Sequence, residues 1–357
     1  MGSQSSHIDF ALIGHQDSWK KITGFIEFLT KGKRKLTESQ AAEVYSFIPP
    51  RAVFDIEVRS ITGQTVRGSY IETFISPDEL GLRYWKRNMF KVQEAAACAR
   101  QLNAAVATLG GFTSIVLEGR DDSLNDGSYT KFTTGNTLTA AFIVRNLEKA
   151  CRRFGKELGD QQLLVIGATG DIGSACLEYF SRKVKKVLLC ARQQVILDAL
   201  AAKLQRQGIA AQASTDIRQL LPQADLVIAI ASSTIENFVP ELCKKDIIIC
   251  DAGYPKNLVF DLKGYFSDRL FSGGMGQVQG GYSFTPEIHH SFYHFPVECV
   301  GHGCLQEAVI LAFENMHEPF STGKGNITLE KMDRIYALAN KHGIRESPLF
   351  NPLMAWD

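Results

Sequence analysis

Apolar positions along the chain fall into two regimes that meet near Gly159. Beyond it, four short continuous runs, Leu163–Ile166, Val187–Cys190, Leu226–Ala231 and Ile247–Cys250, are separated by helical or polar stretches. Runs that are apolar at every position suit strands covered on both faces. Their alternation with helices predicts a parallel sheet with right-handed crossovers. Before Gly159 the pattern is mixed. Two short helices are predicted near 18–30 and 38–48, then a hairpin in which Val53–Ile61 and Thr65–Phe74 alternate about Thr62-Gly63-Gln64. A stretch rich in Ala, Gln, Glu and Arg predicts a long helix from Tyr84 to Thr108, closed by Gly110-Gly111. A strand at Thr113–Leu117, a polar loop at Asp121–Ser128 and a helix from Asn136 to Phe154 complete this half. The last part carries a strongly apolar helix over 304–315 and an amphipathic one over 328–342. Residues 1–9 are small and polar and read as frayed.

The first run opens onto Gly167-Ala168-Thr169-Gly170-Asp171-Ile172-Gly173 and then a helix. A strand, a Gly-x-x-Gly-x-x-Gly turn and a helix form the setting in which a dinucleotide is held. The chain turns tightly at Gly167, the pyrophosphate approaches closely near Gly170, and helix packs on strand at Gly173. The helix N-terminus adds unpaired N–H groups and the positive end of its dipole. Thr169, Asp171 and Ile172 fall inside this turn and join the expected contacts. The alternative is a Gly-rich turn in an ordinary α/β domain. The second run ends Leu189-Cys190-Ala191-Arg192, with an arginine and no acid. A guanidinium there suits a 2′-phosphate and favours NADPH over NADH; otherwise Arg192 is a solvated surface residue. Ala231, where the third run ends, and Gly253, just past the fourth, complete the expected cofactor lining. The fold class predicted is α/β: a Rossmann-type parallel-sheet NADP-binding domain over 159–285, an N-terminal mixed α/β substrate domain over 1–158, and a C-terminal helical segment over 286–357.

Composition narrows the rest. The 357 residues are 45% hydrophobic and 22% charged, with a formal net charge of +1. That is a globular chain whose surface as a whole is not tuned for nucleic acid. No apolar stretch reaches the length needed to span a bilayer. The eight cysteines make no Cys-x-x-Cys pair and match no zinc-finger spacing, and several lie inside apolar runs, as in reduced cytoplasmic proteins. No metal site is expected. His289, His290, His294 and His302 cluster near Cys299 and Cys304 but lack regular pair spacing.

Cys304 follows Gly301-His302-Gly303 and opens the apolar helix. A thiol in the first turn of a helix meets the positive dipole end. A shift from the usual value near 8.5 to about 7 would make roughly half of it thiolate, for about 2 kcal/mol. From residues alone Cys304 is either a nucleophile or a buried structural thiol, and His302 is a candidate for stabilising its thiolate. Tyr179 and Lys183 have the Tyr-x-x-x-Lys spacing of short-chain dehydrogenases, but they sit on the helix beside the cofactor phosphates and read as surface residues. No Gly-x-Ser-x-Gly elbow is present.

The chain resembles the long-chain acyl-carrier-protein reductases of cyanobacterial alkane synthesis, from about Leu12-Ile13-Gly14-His15 to Lys341-His342-Gly343. The matching blocks are Ser60–Gln64, Leu109–Val116, Phe132–Thr137, Gly167–Ser174, Gly253–Leu258 and Glu307-Ala308 with Phe313-Glu314. In that family a cysteine directly before the Glu-Ala helix accepts the acyl group, and the resemblance implies that role for Cys304. It further implies that the Gly-Gly-Phe-Thr-Ser and Thr-Thr-Gly-Asn-Thr blocks line the cleft. Ser114, Thr134 and Asn136 are then candidate oxyanion donors, although Gly110, Gly111 and Gly135 equally mark tight turns. Lys256 either reaches the nicotinamide ribose or a substrate carbonyl or is solvated. The match is weakest between Gly274 and Gly303, which leaves acyl-chain length and the leaving thiol open.

The implied reaction is NADPH-dependent reduction of a long-chain acyl thioester, on acyl carrier protein or coenzyme A, to an aldehyde through a Cys304 acyl-enzyme. An acidic carrier calls for a basic docking patch, for which Lys31–Lys35 and Arg182–Lys186 are candidates. The resemblance also implies an aldehyde-deformylating oxygenase as a second partner. The competing readings are a shikimate-dehydrogenase-like ketone reductase that needs no thiol, and a non-catalytic NADPH-binding sensor. A third, glutamyl-tRNA reductase, expects its cysteine near the N-terminus, whereas the first cysteine here is Cys98.

Overall fold

A computed structural model describes residues 7–16, 18–80, 82–116, 124–254, 256–258, 263–287 and 295–356. Among them, two six-stranded sheets face each other across a cleft, with a small third sheet beside them.

The second sheet is the one the apolar runs foretell. Strands β6 (Gln162–Ile166), β7 (Lys186–Cys190), β8 (Ala211–Ser214), β9 (Leu226–Ala229), β10 (Ile248–Asp251) and β11 (Leu270–Ser272) are all parallel. Their order, β8-β7-β6-β9-β10-β11, reverses direction between β6 and β9. That reversal is the switch point at which doubly wound sheets bind ligands. Helices α6 (Asp171–Phe180) and α7 (Gln194–Arg206) supply the first crossovers. The fold class expected from sequence is the one observed.

The first sheet has the order β13-β2-β3-β1-β4-β5. Its centre is β1 (Phe10–Gly14), buried at all five positions and parallel to both β3 (Thr65–Glu72) and β4 (Val106–Leu109). The sequence reading has no strand here, because five apolar residues without a partner carry no period. Strand β2 (Arg51–Arg59) forms the expected hairpin with β3, and β5 (Lys131–Thr133) closes the far edge.

Two expectations fail in this half. The helix predicted to run to Thr108 ends earlier, as α3 (Trp85–Gln101). Asn103 then takes a left-handed conformation (φ 51°), which asparagine tolerates, and the chain turns directly into β4. The segment predicted as a strand at 113–117 is a short helix, α4 (Phe112–Val116), because Thr113 Oγ1 folds back to the carbonyl of Gly110. Helices α1 (Trp19–Leu29), α2 (Glu38–Tyr45) and α5 (Asn136–Arg153) form near their expected positions.

Packing crosses positions 158 and 285. Strand β13 (Tyr282–Thr285) pairs antiparallel with β2, so this part of the 159–285 stretch completes the first sheet. Helix α5 packs against α6, α8 (Gly303–Phe313) and α9 (Leu329–Lys341). Strands β12 (Met275–Val278), β14 (Val300–His302) and β15 (Ile344–Glu346) make the third sheet. One apolar core runs through both halves, from Phe10 and Val106 through α5 and α8 to Leu163 and Val165.

Candidate active site

The carboxyl ends of β1, β4 and β5 point toward those of β6, β7, β9 and β10, and between them lies a cleft of about 1020 Å³. At one end it is lined by Arg192, Gln193 and Thr215, in the middle by the glycine turn and Cys304, and at the other end by Leu12, Tyr70, Leu80, Trp85, Phe112 and Ile115. Cys304, His302, Ser114, Lys256, Gly167, Thr169, Gly170, Asp171, Ile172, Gly173, Arg192, Ala231 and Gly253, expected from sequence, all line it.

The glycine turn is built around missing side chains. Gly167 has φ +91°, and a Cβ there would lie 2.3 Å from the Ile230 carbonyl oxygen. A Cβ at Gly173 would lie 2.2 Å from the Gly167 oxygen. Gly170 caps α6, and its N–H closes the turn onto the Gly167 oxygen at 2.9 Å. The result is a shallow cradle at a helix N-terminus, which fits a dinucleotide pyrophosphate. Asp171 turns its carboxylate away, to the Asn136 amide (3.0 Å) and the Gly325 N–H (3.0 Å), and so ties α6 to the start of α5.

Asn257 shapes the opposite wall. Its side chain accepts from Ala231 N–H (2.8 Å) and donates to the carbonyls of Ala231 and Ser233 (2.9 Å each). A Cβ on Gly253 would strike this amide. The Asp251 carboxylate holds the same loop through the N–H groups of Gly253, Asn257 and Leu258. Lys256 is part-buried, with Nζ on the Asp251 carbonyl at 2.9 Å.

Cys304 is the second residue of α8, at the floor of the cleft. Gly135 (φ +70°) packs so closely that a Cβ there would stand 2.2 Å from the Cys304 Cα, and Thr108 Oγ1 donates to the Cys304 carbonyl at 3.0 Å. A Cβ on Gly110 would reach the thiol sulfur at 3.7 Å. The glycines of the Gly-Gly-Phe and Thr-Thr-Gly-Asn blocks thus let two loops close around one cysteine. Backbone N–H groups of Gly111 and Leu305 lie close enough to its sulfur to favour the thiolate.

The electrostatics correct the sequence reading. Burial outweighs these donors and the helix end and pushes the Cys304 thiol up to about 11, with Glu307 adding a smaller push in the same direction. His302 cannot supply a compensating cation: burial, with Lys256, Lys21 and His15 nearby, holds its imidazole down at about 3, hence neutral. Its ring packs on Tyr254 (centroids 4.7 Å apart). Two of the expected oxyanion donors are also engaged elsewhere. Ser114 Oγ donates to the Gly111 carbonyl at 2.9 Å and Asn136 to Asp171, while Thr134 Oγ1 accepts from the Asn136 N–H.

Sequence reasoning gave no role to three residues that build this site. His15 is buried, and its Nε2 accepts the Phe112 N–H at 2.9 Å, which leaves Nδ1 to donate to the Gln16 carbonyl. Tyr254 covers His15 from across the cleft. Glu307, one turn beyond Cys304, is fully buried and accepts from Thr133 Oγ1 (2.6 Å), Ser321 Oγ (2.9 Å) and the Leu138 N–H in the first turn of α5 (3.0 Å). It fastens α8 to the loop that contacts the thiol. The signal for these pairings is spatial: His15 stands 97 positions from Phe112, and Glu307 stands 174 from Thr133.

Tyr179 and Lys183 form a surface group with Glu148, away from the cleft, as expected. His289, His290 and His294 lie outside the described residues, among which no group of His, Cys, Asp and Glu is arranged to hold a metal.

A doubly wound sheet of this strand order, with a glycine turn entering a helix at its switch point, defines an NAD(P)-binding oxidoreductase of the dehydrogenase type. Residues 148–263 match the family model of shikimate / quinate 5-dehydrogenases. Over 354 residues the chain is 33% identical to the long-chain acyl-[acyl-carrier-protein] reductase of Synechococcus elongatus, covering 94% of this chain and 98% of that one. The chain belongs to the long-chain acyl-[acyl-carrier-protein] reductase family. It is also 27% identical over 263 residues to the aminotransferase PigE of a Serratia species, covering 69% of this chain and 28% of that one. Among solved structures, the L-tryptophan dehydrogenase of Nostoc punctiforme matches at 10% identity with a TM-score of 0.42, over 93% of this chain and 80% of that one. No helix among the described residues is long and apolar enough to cross a membrane.

Proposed function

We propose that the protein reduces a long-chain acyl thioester, carried on acyl carrier protein or coenzyme A, to a fatty aldehyde with NADPH, through a covalent thioester on Cys304. The observation that carries this reading is the seat of Cys304: a thiol at the junction of the glycine-lined cofactor cleft and an apolar pocket, with the backbone N–H groups of Gly111 and Leu305 near its sulfur.

The Cys304 thiolate adds to the acyl carbonyl, the bond to the carrier sulfur breaks, and the carrier thiol leaves. Sulfur replaces sulfur, so the exchange is nearly isoenergetic. With the thiol at about 11, about one molecule in ten thousand is thiolate at pH 7. A thiolate of high pKa is correspondingly a stronger nucleophile. The N–H groups of Gly111 and Leu305 are the donors proposed to take the developing oxyanion, with Lys256 adding positive charge to the same wall. The glycine turn would hold NADPH, whose chemistry when bound would be to supply hydride to the acyl carbon. The hemithioacetal on Cys304 then collapses: its C–S bond breaks, the aldehyde leaves, and the sulfur recovers a proton.

Gly167, Thr169, Gly170, Ile172 and Gly173 are assigned to the pyrophosphate. Asp171 contributes backbone only, Arg192 meets the 2′-phosphate, and Ala231 and Gly253 flank the nicotinamide side. A reaction that needs a free thiol suits the reducing cytoplasm, and an aldehyde-deformylating oxygenase is the proposed consumer of the product.

The test is intact-protein mass spectrometry with a long-chain acyl thioester and no NADPH, on wild type and Cys304→Ala. The expected result is an adduct on wild type alone, discharged as aldehyde when NADPH is added. Turnover of a ketone by both proteins, with no adduct on either, would instead favour the direct ketone reduction suggested by the match to shikimate / quinate 5-dehydrogenases.

A further inference from the structure

Both basic runs singled out in the sequence are poorly placed to receive a carrier. Lys31–Lys35 follows the C-terminal end of α1, and Arg182–Lys186 follows that of α6. Each helix turns its other end toward the cleft: Lys21 of α1 is felt at His302, and Asp171 opens α6 on the cleft wall. At 1.5 Å per residue, each run stands about 15 Å back along its helix. Lys35 and Lys183 are moreover paired, with Glu27 and Glu148.

A different surface borders the apolar end of the cleft. Trp85, which lines the cleft, begins α3, and Arg83, Lys86 and Arg87 stand exposed around it. Two acids at this rim are already engaged, while Glu43 and Glu94 stand a turn away from Phe47 and Phe90. Asp78 accepts from Trp19 Nε1 at 2.8 Å, and Glu79 pairs with Arg87. One turn beyond Lys86, Phe90 is 59% exposed. Lys91 Nζ donates to the carbonyls of Ile48 and Phe74, which ties the segment following α2 to α3. Next to Ile48, Phe47 is 83% exposed, and Val44 in α2 is 50% exposed. The Trp19–Tyr45 ring contact joins the start of α1 and its exposed Lys20 to this rim.

We propose that this surface, with Phe47 and Phe90 at its centre and Lys20, Arg83 and Lys86 around them, docks the acidic carrier protein that delivers the acyl thioester. The proposal rests on the function proposed above and names the partner surface for that site. Charge complementarity chooses the occupant: a cationic rim around exposed aromatic side chains fits an acidic helix with an apolar stripe, and steering by rim charges acts mainly on encounter. Position agrees with charge. A thioester arm leaving a carrier seated on α3 enters past Trp85 and Leu80, along the wall that ends at Cys304.

The test compares wild type with Arg83→Glu/Lys86→Glu and, separately, Phe47→Ser/Phe90→Ser, on two substrates with one acyl chain. The first is the acyl carrier protein thioester; the second is the acyl-pantetheine thioester, which has the arm without the protein. Binding of the holo carrier and co-sedimentation with anionic phosphatidylglycerol vesicles are measured alongside. Both variants are expected to lose about tenfold or more in kcat/KM for the carrier substrate, mainly through KM, and to bind the holo carrier correspondingly more weakly. Turnover of the pantetheine thioester stays within about twofold, and added salt weakens wild type toward the charge-reversed variant. Equal losses on both substrates, or no loss on either, overturn the proposal. Loss of vesicle binding with carrier kinetics intact assigns the surface to a membrane instead. If wild type reduces neither thioester, the functional reading itself fails, a result distinct from any of these.

Discussion

Replacing Gly135 with alanine tests whether the site is held together by the missing side chain that faces Cys304. Gly135 has φ +70°, and an added Cβ would lie 2.2 Å from the Cys304 Cα and 2.6 Å from its Cβ and carbonyl oxygen. Carbon contacts settle near 3.5 Å, so about 1 Å of movement is required, and the obstacle is backbone at the start of a buried helix. The left-handed conformation costs alanine about 1 kcal/mol, and overpacking adds about 1–3 kcal/mol. A displacement of about 1 Å at the proposed nucleophile lowers its reaction rate about a hundredfold. Gly208→Ala is the control: its φ is +78°, and nothing lies within 4 Å of its added Cβ. For a chain of this length the expected fall in Tm is about 4 °C for Gly135→Ala and about 1 °C for Gly208→Ala. Only the first should slow acyl-adduct formation, measured by quenched intact mass spectrometry, while NADPH binding persists in both. Acylation of Gly135→Ala within about threefold of wild type, at the same Tm as the control, would refute the reasoning.

Three further outcomes are expected. Alkylation of Cys304 by iodoacetamide, followed on its own peptide, should rise about tenfold per pH unit from pH 7 to 10, because burial holds the thiol at about 11; a plateau near pH 7 contradicts that. Arg192→Glu should shift the ratio of kcat/KM for NADPH over NADH by about 10- to 100-fold toward NADH, the scale of one charge-assisted contact; an unchanged ratio removes Arg192 from the 2′-phosphate. Glu72 is fully buried, accepts from Gln16, Tyr70 and the Phe74 N–H, and has its carboxyl raised by burial from 4.5 to about 7. A raised acid stabilises the fold below its unfolded pKa and loses that contribution as pH climbs through the folded value. Wild type should therefore lose up to about 3 kcal/mol through this group between pH 4.5 and 8. Glu72→Gln should flatten that slope in denaturant titrations at the two pH values, and an unaltered slope assigns it to other groups.

Periodicity carried the four central strands of the second sheet closely, because strands buried on both faces are continuously apolar, but it missed the edge strands β8 and β11, which are short and, in β8, only part-buried. It failed where partners decide. Val106–Leu109 follows a helix without a change of composition, and only its place between β1 and β5 makes it a strand. Cys304 stands out in the sequence by its position before the Glu-Ala helix, and the structure seats it in the cleft, but its electrostatics were not legible. A helix N-terminus argues for a low pKa in isolation, whereas the packing of Gly110, Gly135 and α8 around the thiol excludes the water that would solvate its charge. The neutral state of His302 is equally a product of the fold, set first by burial and then by Lys256, Lys21 and His15 from three separate segments.

The return of β13 to the edge of the first sheet has a consequence for synthesis and for engineering. Tyr282 pairs with Val58 and Thr285 with Asp55, so the outer strand of the N-terminal sheet is supplied only after the entire nucleotide-binding sheet has left the ribosome. Until then β2 presents an unpaired edge, the kind of template on which chains aggregate. A fragment cut near residue 158 would keep that edge open permanently. The two halves are therefore better regarded as one interlaced folding unit than as modules to be exchanged, and a chimaera that swaps the dinucleotide-binding sheet must carry β13 with the N-terminal half.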